Sequence, residues 1–215
     1  MAVWAAMVQP NHHAGQGPFD GIVGTLVGVI MLVGRGHDAR LACELAAVGR
    51  DDKVVDIGCG PGVAAREAAR RGADVTGVDP APAMLRLARL LPRDGITYAQ
   101  GTAEQLPMQD DTATVAWSLA SAHHWSDVDH GIAEATRVLR SGGRLLVLER
   151  SCKEGAKGLA SHGWTRPQAE TFAAACERRG FSDVRVDVVR GRRGPAFAVT
   201  GHTASDDEAL DRTDA

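Results

Sequence analysis

From Lys53 onward the chain alternates short β-branched runs with helical stretches, and this alternation restricts the fold more than any other feature. "KVVDIG", "ADVTGVD", "ITYAQG", "ATVAWSLA" and "RLLVLE" read as strands. "VAAREAARRG", "APAMLRLARLL" and a stretch from about Asp129 to Leu139 read as helices. In the second of these, Met84, Leu87, Ala88 and Leu91 recur at i, i+3, i+4 and i+7, one face of a helix. "SGG" at Ser141 reads as a turn, and "RLLVLE" is apolar enough for a strand covered on both sides. Strand–helix alternation of this kind builds parallel βαβ units. A further helix over Arg166–Arg179 shows Ala169, Phe172, Ala173 and Cys176 on one face. "DVRVDVVR" and "PAFAVTG" around "GRRG" then predict a closing hairpin. The expected fold is α/β: a doubly wound, Rossmann-like, seven-stranded sheet, mostly parallel, with a C-terminal antiparallel hairpin.

Residues 1–18 are rich in Pro, Gly, Gln and His and lack periodicity, so an arm is expected there, followed by helices over Phe19–Val33 and His37–Val48. These divide the chain into an N-terminal arm and lid helix (1–36), a core (37–202) and a disordered acidic tail (203–215). The twelve-residue apolar run from Ile22 to Val33 is short of the roughly 20 residues a membrane helix needs. No membrane span is therefore expected, and no signal peptide, because nothing basic leads into the run. Four dispersed cysteines without a C-x-x-C pair predict neither disulfides nor structural zinc, and hence a cytoplasmic setting. No set of histidine, cysteine and acid has metal-ligand spacing, so no metal is expected.

"VVDIGCGPG" ends the first strand in Gly58-x-Gly60-x-Gly62, with Asp56 two residues ahead. A dinucleotide loop reads G-x-G-x-x-G and seats a pyrophosphate on a helix N-terminus. Here the spacing differs, and a carboxylate at Asp56 suits a cationic ligand better than a phosphate. Seventeen residues beyond Gly62, Asp79 ends the second strand, where an acid can accept both hydroxyls of a ribose. The competing structural reading makes the glycines a tight turn and Asp79 a helix N-terminal acid. Cys59 is simplest as a small buried side chain.

"VVDIGCGPG", "GVDPAPAMLRLAR", "GTAEQLPMQDDTATVAWSLASAHHW" and "RVLRSGGRLLVLERS" follow one another at intervals that resemble the class I S-adenosylmethionine-dependent methyltransferases, in particular the small-molecule type similar to the ubiquinone-biosynthesis enzymes. The resemblance spans about residues 40 to 150, and the closing hairpin is similar to the family's last two strands. It implies S-adenosylmethionine as cofactor and S-adenosylhomocysteine as product. It places Asp56, Gly58, Cys59, Gly60 and Gly62 at the amino-acid end of the cofactor and Asp79 at the ribose. Pro80 or Met84 would border the adenine, and Ser118 and Leu119 would line the methionine moiety. Where the family usually has an Asp accepting from the adenine amino group, this chain has Thr102. The Thr102 hydroxyl, the Ala103 backbone and the Glu104 carboxylate are the alternatives.

Methyl transfer asks mainly for alignment, with a base only where the acceptor must lose a proton. His123 and His124 follow the fourth strand, on the carboxyl edge where open α/β sheets bind ligands. They are the catalytic candidates, as base or as positioning groups, with Trp125 beside them. His12, His13 and Phe19 in the arm, together with Glu149 and His162 beyond the fifth strand, are candidates for the acceptor site. A roof of N-terminal lid helices makes that site small.

The formal net charge of −3 and the 4% aromatic content disfavour nucleic acid. The expected partner is a small-molecule acceptor methylated at oxygen, nitrogen or carbon, and the chain a monomer or homodimer. Two alternatives keep the same core: a non-catalytic S-adenosylmethionine-binding regulator and a protein methyltransferase.

Overall fold

A computed structural model describes residues 9–12 and 36–205, the side chain of Leu159 excepted. Within these, α1 (Gly36–Leu45) leads into β1 (Lys53–Ile57), α2 (Val63–Arg70), β2 (Asp74–Asp79), α3 (Pro82–Leu90) and β3 (Ile96–Gln100). The chain continues through β4 (Ala113–Leu119), a 3₁₀ turn at Ala122–His124, α4 (Val128–Val138) and β5 (Leu139–Arg150). A second 3₁₀ turn (Gly158–Ser161), α5 (Arg166–Arg178), β6 (Phe181–Gly191) and β7 (Gly194–Thr203) complete it. The seven strands form one sheet in the order β3-β2-β1-β4-β5-β7-β6. Strands β1 to β5 pair in parallel, and β7 runs antiparallel to both β5 and β6. The strand order reverses between β1 and β4, so a crevice opens at the carboxyl ends of those two strands.

Alternate strand residues feed two cores. Val55 and Ile57 face Trp125, Ile132, Ala135, Trp164 and Phe172 on one side. Val54, Val115 and Trp117 face Ala42, Cys43, Ala65 and Ala68 of α1 and α2 on the other. The small residues of α1 and α2 let those helices lie close on the sheet, and both cores support the loops at its carboxyl edge. At the opposite edge, Asp52 accepts from Gly49 N at 2.8 Å and from Thr114 Oγ1 at 2.6 Å, and pairs with Arg144.

Three local expectations are corrected. Helix α3 stops at Leu90, because Pro92 pushes Leu91 out of the helical region (φ −116°, ψ 70°). Leu90 and Leu91 are consequently exposed, and Leu91 leaves the apolar face assigned to it. Ser141-Gly142-Gly143 lies inside β5 as a bulge instead of ending an element. The β4–β5 register jumps from Ala113–Leu139 to Val115–Arg144, and Gly142 adopts φ 68°. Its N–H donates to Ala204 O at 3.1 Å, while Thr203 pairs with Phe181, so Thr203, the first residue assigned to the tail, belongs to the sheet. Residues 206–215 lie outside the described residues, as do Phe19–Val33 and His13.

Candidate active site

Asp56 is buried on β1, opposite Gly77 of β2 and Trp117 of β4. The strand then enters three left-handed glycines: Gly58 (φ 74°), Gly60 (φ 54°) and Gly62 (φ 76°). Side chains rarely adopt that conformation, and at Gly58 and Gly62 space forbids them as well. A Cβ on Gly58 would lie 1.9 Å from Ser121 Oγ, and one on Gly62 would lie 2.2 Å from the Tyr98 hydroxyl. The loop is pinned from β2. Gly58 N and Cys59 N both donate to Val78 O, at 2.8 and 3.0 Å.

Asp79 completes that clamp. Its Oδ2 accepts from Gly60 N at 2.8 Å and its Oδ1 from Ala81 N at 2.9 Å. Burial pushes its carboxyl above the ordinary carboxylate value, and these two N–H groups pull against that rise. Each carboxylate oxygen keeps a second lone pair, so the clamp leaves acceptor capacity for a ligand hydroxyl. Burial likewise drives the Cys59 thiol well up, which makes it a neutral packing group and not a nucleophile.

Around the same loop, Met84 and Ala103 are buried, whereas Pro80 and Thr102 are exposed. Thr102 forms a tight bridge with Gln105. Glu104 turns toward α4: its Oε1 accepts from Ser126 N at 2.6 Å and Asp127 N at 3.1 Å. Ser118 is fully buried, and among the described residues its Oγ has no hydrogen-bond partner. Leu119 beside it is partly exposed, and Ala120 takes a positive φ of 51° as the chain turns off the strand.

That turn delivers His123 and His124 to the carboxyl edge. His123 is buried and its Nδ1 lies 2.9 Å from Glu149 Oε2 on β5, while His123 N donates to Oε1 at 3.3 Å. Glu149 is fully buried, which pushes its carboxyl up. The charge and hydrogen bonds of His123, aided by His124, outweigh burial and hold it below the usual range. His162 comes in from beyond β5, its ring 5.5 Å from that of His123 and 5.4 Å from that of His124. Arg150 holds the loop, donating from Nε to His162 O at 3.0 Å and from Nη2 to Ala160 O at 2.9 Å.

The short N-terminal segment lies over this edge. Trp164 Nε1 donates to Pro10 O at 2.6 Å, and Asn11 Nδ2 donates to Trp125 O at 2.9 Å. His12 contacts Ser161 O at 2.8 Å and Gln168 at 2.9 Å, with its ring 6.1 Å from that of His123. Trp125 itself packs edge-on against Phe172 in the core. The structure thus brings His12, His123, His124, Glu149 and His162 together, and Asp56, Cys59 and Asp79 around the glycine loop.

Sequence reasoning missed Ser121, Tyr98 and Asn11. Tyr98 had a readable trace: it stands opposite Gly77 in the β2–β3 register, and a glycine within a strand marks close approach. Burial raises its hydroxyl to about 12. Ser121 and Asn11 carry no such trace, since their contacts depend on how distant loops meet.

The family model for a methyltransferase domain matches residues 55–147. The demethylmenaquinone methyltransferase of Tropheryma whipplei (strain Twist) is 36% identical over 117 residues, which is 54% of this chain and 48% of that protein. The chain thus spans about half the length of that curated relative. The ubiquinone biosynthesis O-methyltransferase of Azorhizobium caulinodans is 30% identical over 179 residues, covering 73% of this chain and 69% of the relative. The chain belongs to the class I S-adenosylmethionine-dependent methyltransferase family.

Solved structures agree on the fold of this methyltransferase-family chain. A putative S-adenosylmethionine-dependent methyltransferase from Methanococcus maripaludis superposes with a TM-score of 0.68 at 20% identity, covering 88% of this chain and 95% of that one. The [4+2]-cyclase SpnF superposes with a TM-score of 0.66 at 19% identity, covering 79% and 81%. One fold therefore carries different chemistries, and the reaction must be argued from the site.

The residues present fit the family's cofactor. Two buried carboxylates, Asp56 and Asp79, flank a glycine-rich loop, which matches a cationic nucleoside and opposes a phosphate. The buried Ser118 hydroxyl at the end of β4 supplies a polar group beside the same crevice. For this methyltransferase-family chain, S-adenosylmethionine is the cofactor that fold and family imply.

Proposed function

We propose that the chain transfers a methyl group to a hydroxyl oxygen of a small-molecule acceptor held at the carboxyl edge by the histidine cluster. The observation that carries this reading is the buried His123–Glu149 pair at 2.9 Å, beside the loop that ends β4. S-adenosylmethionine, when bound, supplies a methyl on a positively charged sulfur, which a nucleophile displaces in line.

The chain's own residues supply the rest. Asp56 and the loop backbone hold the amino-acid end, Asp79 accepts from the ribose, and Met84 with the Ala103 region borders the base. Ser118 and Leu119 face the methionine portion. Glu149 fixes the ring of His123, so the imidazoles present a defined edge to the acceptor hydroxyl. One of them takes the hydroxyl proton as the oxygen attacks, and Glu149 stabilises the positive charge that results. His12 and Asn11 close the edge from the N-terminal side and limit water. The net charge of −3 supports a small molecule over nucleic acid as acceptor; the proposed setting is the cytoplasm, with the chain a monomer or homodimer.

The test uses tritiated-methyl S-adenosylmethionine with a panel of phenols, carboxylic acids and amines and with a metabolite extract. Label in an extractable methyl ether is the expected result, with His124→Gln lowering kcat about 100-fold or more. Label confined to polypeptide indicates a protein methyltransferase, and cofactor binding without turnover across the panel indicates a regulator. Either overturns the proposal.

A further inference from the structure

Spacing along the chain gave no reason to expect a metal, yet folding brings His162 to His123 and His124 across 38 positions. One potential ligand atom from each of the three lies within 4.8 Å of the other two. Their ring centroids are 4.1 to 5.5 Å apart. Tetrahedral coordination at a metal–nitrogen distance of about 2.0–2.1 Å separates ligand nitrogens by roughly 3.3 Å. Modest rotation of His124 and His162, both partly exposed, closes that difference while His123 stays fixed.

Two features around the cluster match a metal centre. Glu149 engages His123 through Nδ1, so Nε2 is the nitrogen this imidazole offers an ion. A carboxylate behind a ligating imidazole orients the ring and raises its basicity, the usual outer partner of a metal-bound histidine. Behind His162, Gly163 (φ 137°) runs so close to β5 that a Cβ there would lie 2.2 Å from Arg150 O. That approach, with the Arg150 hydrogen bonds to the same loop, fixes the backbone carrying the third ligand. His12 stands at the rim with contacts to Ser161 and Gln168, so the ligand set is the three other imidazoles.

We propose that His123, His124 and His162 bind a divalent transition-metal ion of the zinc or cobalt type, with Glu149 as the outer partner of His123. Three neutral imidazoles select such ions over magnesium or calcium, which take oxygen ligands. A three-histidine site would keep a fourth position for water or acceptor, a use that rests on the hydroxyl-acceptor reading above. With the ion bound, the imidazole lone pairs would be engaged by the metal, so an acceptor oxygen taking the place of water there would lose its proton to solvent instead of to a histidine. The acceptors favoured by such a site carry an oxygen able to coordinate, as phenols and catechols do.

The experiment titrates cobalt(II) into tag-free, chelator-treated full-length protein near neutral pH and follows the visible d–d absorption. One equivalent is expected to give intense tetrahedral bands that zinc(II) bleaches. His124→Gln and His162→Gln, on partly exposed side chains, each weaken cobalt(II) binding at least about tenfold while circular dichroism stays that of the parent. Glu149→Gln weakens it about 10- to 100-fold. A folded parent without tetrahedral bands overturns the proposal, and so do bands of undiminished affinity in both histidine variants. S-adenosylhomocysteine calorimetry on the same samples separates the claims. Cofactor binding without cobalt bands removes the metal site alone, and bands without cofactor binding remove the methyl-transfer reading alone.

Discussion

Gly58→Ala probes the point where the glycine loop meets the histidine-bearing turn. The new Cβ would sit 1.9 Å from Ser121 Oγ and 2.6 Å from Ser121 Cβ. Rotating the hydroxyl away relieves the first contact but not the second. The Ser121 backbone cannot easily retreat, since its carbonyl accepts from His124 N at 2.9 Å and Ala120 N is tied to Leu148 O at 2.8 Å. Left-handed backbone costs alanine about 1–2 kcal/mol, and overpacking adds about 1–3 kcal/mol. The expected loss of stability is therefore about 2–5 kcal/mol. Ser121→Gly removes both clashing atoms, so the double variant should recover the overpacking share and keep only the backbone share. Urea unfolding of the four proteins gives the coupling, about 1–3 kcal/mol in favour of the double variant. S-adenosylhomocysteine affinity, measured by calorimetry, should fall at least about tenfold in Gly58→Ala and partly return with Ser121→Gly. An unchanged unfolding midpoint in Gly58→Ala, or strict additivity in the cycle, would refute the reasoning.

Other consequences concern individual side chains. Burial raises Cys59 and Cys176 and takes Cys43 to about 12, so iodoacetamide on the native protein should modify only the half-buried Cys152. Mass spectrometry reads the site, and early modification of any other cysteine contradicts the packing. Glu104→Ala removes the acceptor for Ser126 N and Asp127 N and should cost about 0.5–2 kcal/mol in urea unfolding. Cofactor affinity should be unchanged; a large loss would return Glu104 to the adenine. Asp79 has a raised carboxyl, so its burial penalty is present at neutral pH and is relieved as pH falls through that raised value. Protonation also removes lone pairs from the ribose acceptor. S-adenosylhomocysteine binding should therefore weaken on acidification before an ordinary carboxylate would titrate, and Asp79→Ala should flatten that dependence.

Strand periodicity and punctuation made the sheet legible, because burial on both faces leaves "KVVDI" and "ATVAWSL" with mostly apolar, β-branched or small residues. The glycine loop was legible for a similar reason, since only glycine tolerates the backbone at Gly58 and Gly62. Less visible were features set by tertiary meeting. Leu91 fitted a helical face, but Pro92 ended the helix first. Ser141-Gly142-Gly143 looked like a turn until β7 and Ala204 supplied its partners. His162 is remote from His123 in sequence, and only the β5 loop places the two rings together. For Glu104, the two backbone N–H groups ahead of α4 that its Oε1 accepts from leave no mark in the sequence.

The central claim is that the loop from Gly58 to Gly62, with Asp56 and Asp79, holds a sulfonium nucleoside. Calorimetry of S-adenosylhomocysteine against the parent and Asp79→Ala tests it most directly. The account predicts one molecule bound per chain, with affinity lowered roughly 10- to 150-fold in the variant, as expected for hydrogen bonds to a charged group. No measurable heat with the folded parent, or equal affinity in the two proteins, would contradict it.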